Sequence, residues 1–247
     1  MALAFLVAAA ALWGAGWGLL VPRAVYRLAV ERDDAWRTGC PAGHPLTGPA
    51  RGWLGRALCV PCGGAAAGAY RPALLPVLLT ASACGALAAA VGGRPELFVW
   101  LALAPFGVVL ALVDAAVFRL PDVLTLPLAA LTAAGLGLAA LSCGAAGSWR
   151  TALLGAPALG GCYLVLFLIS PRGMGFGDVK LALTLGQVLG WYGWPVLFLG
   201  TFAAFLAGAV HGLVLILLRR AGRSTAMPFG PFMLAGALAA VVYGGLG

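Results

Sequence analysis

Eight apolar stretches dominate this chain, and any fold it adopts has to find a solvent for them. They run over residues 2–21, 72–92, 96–113, 121–142, 151–170, 178–192, 194–218 and 227–246, most of them long enough to cross a bilayer as a helix. Of the 247 residues 63% are hydrophobic and 9% charged, and the mean hydropathy is +1.03. A soluble domain keeps about a quarter of its residues charged, so lipid is the expected solvent here. The fold class that follows is all-α: a polytopic membrane bundle of about eight transmembrane helices. Glycine is abundant, 37 residues, and small residues let membrane helices approach closely. The first stretch has neither a basic n-region nor a clear small-x-small cleavage site, so it reads as a retained helix rather than a signal peptide.

Charge supplies an independent check on that count. The net charge of +8 could suggest nucleic acid, but its placement argues against a nucleic-acid partner and for the positive-inside bias. With the N-terminus outside, the inner loops collect Arg23, Arg27, Arg32, Arg37, Arg51, Arg56, Arg71, Arg119, Arg172, Lys180, Arg219, Arg220 and Arg223. The outer loops hold only Arg94 and Arg150. Missing one span would scramble that asymmetry. The expected organisation is a first transmembrane helix over 1–21, a cytoplasmic segment over 22–71, and a seven-helix membrane domain over 72–247.

The 22–71 segment is rich in proline and glycine and too short to build much of a core. It carries Cys40-Pro-Ala-Gly-His44 and Cys59-Val-Pro-Cys62, a C-x3-H and a C-x2-C pair with 14 residues between them. Close pairs of this kind suit a tetrahedral zinc ion, which would supply the folding energy the missing core cannot. A disulfide or free thiols are the alternatives, and a reducing cytoplasm argues against the first. The expectation is a small cytoplasmic zinc-knuckle loop held by Cys40, His44, Cys59 and Cys62. Cys84, Cys143 and Cys162 read as small packing residues, and His211 as a polar packing contact.

Only seven acidic residues are present. Glu31, Asp33 and Asp34 fall in the basic segment, and Glu96 in an outer turn. Asp114 closes the third span, Asp122 opens the fourth and Asp178 opens the sixth, all at the same membrane boundary. Ionisable groups in spans are costly and mark function by default. Asp122, after Pro121, could simply cap its helix, and so could Asp178. Asp114 has no such reason, because at a helix C-terminus its charge opposes the dipole. Two carboxylates brought together share one proton; one activates a water while the other polarises a carbonyl, as peptide hydrolysis requires. The run Gly173-Met-Gly175-Phe-Gly177-Asp178 adds a flexible strip against which an extended substrate could lie.

These segments resemble those of the type IV prepilin peptidases, a family of GxGD intramembrane aspartyl proteases. Asp114-x6-Pro121-Asp122-x-Leu-Thr-Leu-Pro127 is similar to its first aspartate segment, and Gly173-Met-Gly-Phe-Gly-Asp178-Val-Lys180-Leu to its GxGD segment. Met227-Pro-Phe-Gly-Pro-Phe232 resembles the opening of its last helix, and Gly14-x-Gly-Trp-Gly-Leu-Leu-Val-Pro-x-x-Val-Tyr-Arg27-Leu the exit of its first. The resemblance implies a catalytic pair Asp114 and Asp178, with Asp122, Lys180, Gly175 and Gly177 accompanying. It also implies a bacterial inner-membrane location with the site facing the cytoplasm, and substrates that are precursors of pilins or pseudopilins of type II secretion. Many members also methylate the new N-terminus with S-adenosylmethionine. This chain departs from the family in having C-x3-H in place of one C-x2-C pair, a shorter intervening stretch, and Tyr70-Arg71-Pro72 where an acidic residue is usual. Methylation is left open on that account.

Two other classes compete. An ion-coupled transporter predicts polar groups at mid-membrane and broken helices in repeated halves. A non-catalytic assembly protein of a pilus or secretion system predicts no need for costly carboxylates at the rim.

Overall fold

The computed structural model describes residues 1–31, 34–62, 74–171, 173–218 and 227–246. Arg32, Asp33, Arg71, Arg172, Arg219, Arg220, Arg223 and the Tyr70-Arg71-Pro72 run lie outside the described residues, as does the expected boundary at 71/72. The order of elements is α1 (Ala2–Leu28), α2 (Pro49–Gly52), α3 (Leu74–Val91), α4 (Glu96–Val117), α5 (Asp122–Ala140), α6 (Trp149–Ile169), α7 (Phe176–Trp191), α8 (Trp194–Leu217) and α9 (Gly230–Gly245). Six of these, α1, α3, α4, α5, α6 and α8, are long and apolar enough to cross a membrane. With α7 and α9, each of 16 residues, they match the eight expected stretches one for one. The element α2 is a single turn in the 34–62 segment. No strand occurs among the described residues.

Two ends differ from expectation. The first helix continues past Val21 and Pro22 to Leu28, so Arg23 and Arg27 ride on its last turns. Pro22 lacks the N–H that would continue the backbone ladder there. The third stretch also runs on, to Val117, where Phe118 adopts a left-handed conformation (φ 53°) and donates its N–H to Asp114 O at 2.8 Å. Asp114 therefore sits one turn inside the helix end rather than at it.

The short helix α7 is the hub. Twelve of its 16 residues are buried, because α5, α6, α8 and α9 all pack around it. A helix shielded on every side need not match the bilayer's thickness, which explains how so short a span is tolerated. Small residues set its distance from α6: Gly155 and Gly186 face each other so closely that a Cβ on either would strike the other's carbonyl. Gly14 and Gly18 do the same for α1 against α3, a small-xxx-small contact. By contrast α8 leaves most of its apolar side chains exposed, as a lipid-facing helix does.

Glu96 is the main surprise of the far end. Placed in an outer turn by its sequence position, it is fully buried in the first turn of α4, and its Oε1 accepts the Ala146 N–H at 3.3 Å. The α5–α6 loop folds over it, which no local pattern announces. Cys84 is buried as a packing residue, but Cys143 and Cys162 are exposed, so those two do not pack the bundle. His211 is exposed as well, against the Phe232 ring at 5.3 Å.

Candidate active site and metal cluster

Four helix ends meet at the end of the bundle that also carries the 34–62 segment. They are the C-terminus of α4 and the N-termini of α5, α7 and α9. Arg119 ties this end to the chain that follows α1 by donating to Glu31 O at 2.8 Å. The described basic residues of the expected inner set, Arg23, Arg27, Arg37, Arg51, Arg56, Arg119 and Lys180, all belong here; Arg94 and Arg150 belong to the other end.

Asp114 and Asp178 are both buried at this junction, 4% and 6% exposed, and close enough for their charges to interact. Asp114 Oδ2 accepts the N–H of Gly230, the first residue of α9, at 2.9 Å. Asp178 Oδ2 accepts the N–H of Gly175, the residue capping α7, at 3.1 Å. The capping role for Asp178 weighed from the sequence is thus real, but it engages only one oxygen. Among the described residues each carboxylate makes a single side-chain hydrogen bond, leaving its second oxygen for other partners. Buried carboxylates on separate helices are expensive to maintain without a use.

The accompanying residues divide. Asp122 makes no capping bond on α5; its Oδ2 instead pairs with Lys180 Nζ at 2.6 Å, joining α5 to α7. That pair is outward, with the Asp122 side chain 61% exposed. The glycine strip ends sooner than expected, because α7 already begins at Phe176. Gly177 is helical, and a Cβ there would lie 2.9 Å from Leu120 Cβ, so its smallness lets α7 meet the α4–α5 connection. Gly175 remains extended, ahead of the helix.

Two residues at this site carry no chemical signal that sequence reasoning used. Gly230 was visible only as part of the Met227–Phe232 run; its role as the donor to Asp114 is tertiary. Tyr163, on α6, is 1% exposed and lies within electrostatic reach of Asp178. Its ring stacks on Phe205 at 5.6 Å and lies 6.2 Å from Phe229. This aromatic cluster seats Phe229 and so fixes where the next residue, Gly230, presents its N–H.

Below the membrane helices the two ligand pairs do converge. The ligand atoms of Cys40, His44, Cys59 and Cys62 all lie within 4.8 Å of one another. His44 Nδ1 stands 3.6 Å from Cys40 Sγ, 3.8 Å from Cys59 Sγ and 3.1 Å from Cys62 Sγ, and Cys40 Sγ is 3.7 Å from Cys62 Sγ. A tetrahedron with metal–sulfur bonds of about 2.3 Å and metal–nitrogen of about 2.0 Å has edges of roughly 3.5–3.8 Å. The four residues therefore fit a metal ion. Burial pushes the Cys40 thiol up, but the backbone N–H groups of His44 and Ala42 outweigh it and hold the group down at about 6. Hydrogen bonding to Cys59, with burial, pushes Cys62 up to about 12. A bound cation would favour the deprotonated form of these thiols. Arg23 anchors the segment to α1 through Thr47 O at 2.6 Å and Arg56 O at 3.2 Å, and Arg27 through Arg51 O at 3.1 Å.

Comparison with known proteins gives a consistent result. Residues 101–213 match the model of the Type IV leader peptidase family. The chain is 34% identical over 224 residues to a prepilin leader peptidase/N-methyltransferase of Aeromonas hydrophila, covering 84% of this chain and 72% of that protein. It is 36% identical over 140 residues to the protein of the same name from Pseudomonas aeruginosa, 55% of this chain and 46% of that one. With the Burkholderia pseudomallei protein the figures are 40% over 153 residues, 58% and 47%. The matches to the latter two span about half of those relatives' lengths. No solved structure matches the chain.

Proposed function

The chain belongs to the type IV leader peptidase family and is a multi-pass bacterial membrane protein, and from that premise we propose that it is an aspartyl endopeptidase cleaving the leader of prepilin or pseudopilin precursors at the cytoplasmic rim of the inner membrane. The observation that carries the mechanism is the burial of Asp114 and Asp178 on two helix ends within reach of each other's charge. One carboxylate takes a proton from water while the other, protonated, hydrogen-bonds the scissile carbonyl. Water oxygen bonds to that carbon, the proton passes to the amide nitrogen, and the C–N bond breaks. Gly230 and Gly175 fix one oxygen of each carboxylate by backbone donors, so the free oxygens are presented in a set direction. Gly177 and the Asp122–Lys180 pair hold α7 against the α4–α5 connection.

Orientation follows from charge. The basic residues cluster at the end bearing the dyad, which the positive-inside bias assigns to the cytoplasm, with the N-terminus outside. The cytoplasmic segment starts on the last turns of α1, which carry residues 22–28, and runs to the seven-helix protease domain of 72–247. Its Cys40, His44, Cys59 and Cys62 hold a structural zinc ion; the ion would replace the core this segment lacks, whose buried apolar cluster consists of Cys40, Leu46, Ala57 and Cys59.

Asp114→Asn and Asp178→Asn test the reading. Each variant should insert normally and lose cleavage of a co-expressed prepilin, because neither position then shares the proton. Normal processing by either variant would refute the dyad. Mass analysis of the mature N-terminus in the same assay shows whether methyl transfer from S-adenosylmethionine accompanies cleavage.

A further inference from the structure

A slot of about 330 Å³ lies in the bundle between α3, α4, α7 and α9, with Leu128 of α5 at its side, and begins one turn from the aspartates. Its wall near the dyad is built by Ala111, one turn before Asp114, Leu181, one turn after Asp178, and Pro231, which follows Gly230. The elements that carry Asp114, Asp178 and Gly230 thus also build a wall beneath them. The mouth carries Leu79 and Ser82, both on the exposed face of α3, so the slot opens sideways to lipid. Close-packed interiors do not leave voids of this size empty, and one open to the bilayer has an occupant.

The identity of that occupant is constrained by Thr184, which lines the slot. Four threonines inside the helices turn their hydroxyls back on the carbonyl four residues earlier, Thr80, Thr132 and Thr201 at 2.7 Å and Thr125 at 3.4 Å, and Thr151 bonds the carbonyl three residues earlier at 2.9 Å. Thr184 does not. Among the described residues its Oγ1 is buried without a partner, in a residue 3% exposed. A lipid acyl chain offers such a hydroxyl nothing, whereas a peptide offers amide, carbonyl or side-chain partners. Leaving a buried hydroxyl unbonded costs about 1–3 kcal/mol, so the partner belongs to the occupied state.

Resting on the protease reading, we infer that this slot seats the apolar segment of the substrate immediately following the scissile bond, with Thr184 bonding a polar group within it. Thr184 lies six residues beyond Asp178, or about 9 Å along the axis at 1.5 Å per residue, so the bonded group falls about that far below the cut. Small side chains keep the slot open. At Gly107 a Cβ would meet only the tip of Leu234, at 3.4 Å, so larger side chains there project into the space.

The test uses the full chain in phospholipid nanodiscs and a synthetic peptide, a basic leader followed by about 14 apolar residues with photo-leucine in the first two helical turns after the scissile position. Irradiation should map crosslinks to residues 104–111, 181–188 and 231–238. Gly107→Leu should cut that yield several-fold while thermal unfolding stays intact, and Thr184→Val should raise the peptide's KM about fivefold, the loss of one ordinary hydrogen bond. Crosslinks confined to other faces overturn the inference. So does a photoactivatable lipid that labels the slot and is not displaced by saturating peptide. Because crosslinking needs no turnover, a peptide seated in the slot but never cut sinks the protease reading and leaves the seat standing, while one cut but never seated there does the reverse.

Discussion

Replacing Gly230 by alanine tests how the site is built, since it adds one methyl group at the contact that positions Asp114. An ideal Cβ at Gly230 lies 2.8 Å from Asp114 Oδ2 and 3.2 Å from its Cγ. Real Cβ atoms do not tolerate the first distance, so either α9 or the carboxylate has to move. Asp114 is 4% exposed, and α9 is held by the Tyr163, Phe205 and Phe229 cluster, so the displacement falls on the 2.9 Å bond from Gly230 N–H. A hydrogen bond to a charged group is worth about 1.5–3 kcal/mol, and each ~1.4 kcal/mol is tenfold in rate. The expected loss is therefore about 10- to 100-fold in kcat with little change in KM, since the dyad rather than the substrate seat is disturbed. Cleavage of a purified prepilin in nanodiscs, with unfolding followed in parallel, measures both. The matched control is Gly161→Ala on α6, where a Cβ meets nothing within 4 Å; it should cleave normally and gain up to about 1 kcal/mol from helix propensity. Gly230→Ala cleaving within about twofold of the native rate would show that the glycine donor does not position Asp114 for the reaction, contrary to the roughly hundredfold cost of an ångström's misplacement in such sites.

Other expectations follow from single contacts. Elemental analysis should find one zinc per chain, and Cys59→Ser should lower that content and make the 34–62 segment protease-sensitive, because four ligands converge there and little else buries it. Phe118→Gly should stabilise the protein by about 1 kcal/mol, read as a raised unfolding midpoint, by relieving a left-handed non-glycine residue whose side chain is 55% exposed. A double-mutant cycle on Asp122 and Lys180 should return a coupling under about 1 kcal/mol that shrinks with salt, as befits an outward pair.

Much of this architecture was legible from residue order alone. Apolar length fixed the eight helices, since a backbone in lipid must satisfy its own hydrogen bonds and helices do so locally. The cysteine–histidine pairs were legible for a similar reason: their spacing closes each knuckle within a few residues, and one ion then joins the two. Asp114 and Asp178 were conspicuous because charge in an apolar stretch has no cheap explanation.

Residue order left open everything that depends on which helices meet. It could not show that Gly230, 116 residues from Asp114, supplies its backbone donor, that Glu96 is roofed by the α5–α6 loop, or that Asp122 turns away from its own helix end to pair with Lys180. Nor could it distinguish Thr184 from the other helical threonines, whose spacing to a preceding carbonyl is identical. Local physics selects helices and marks costly charges; the partner each buried polar atom finds is set by packing across the bundle, where small residues such as Gly155 and Gly186 decide how closely the helices approach.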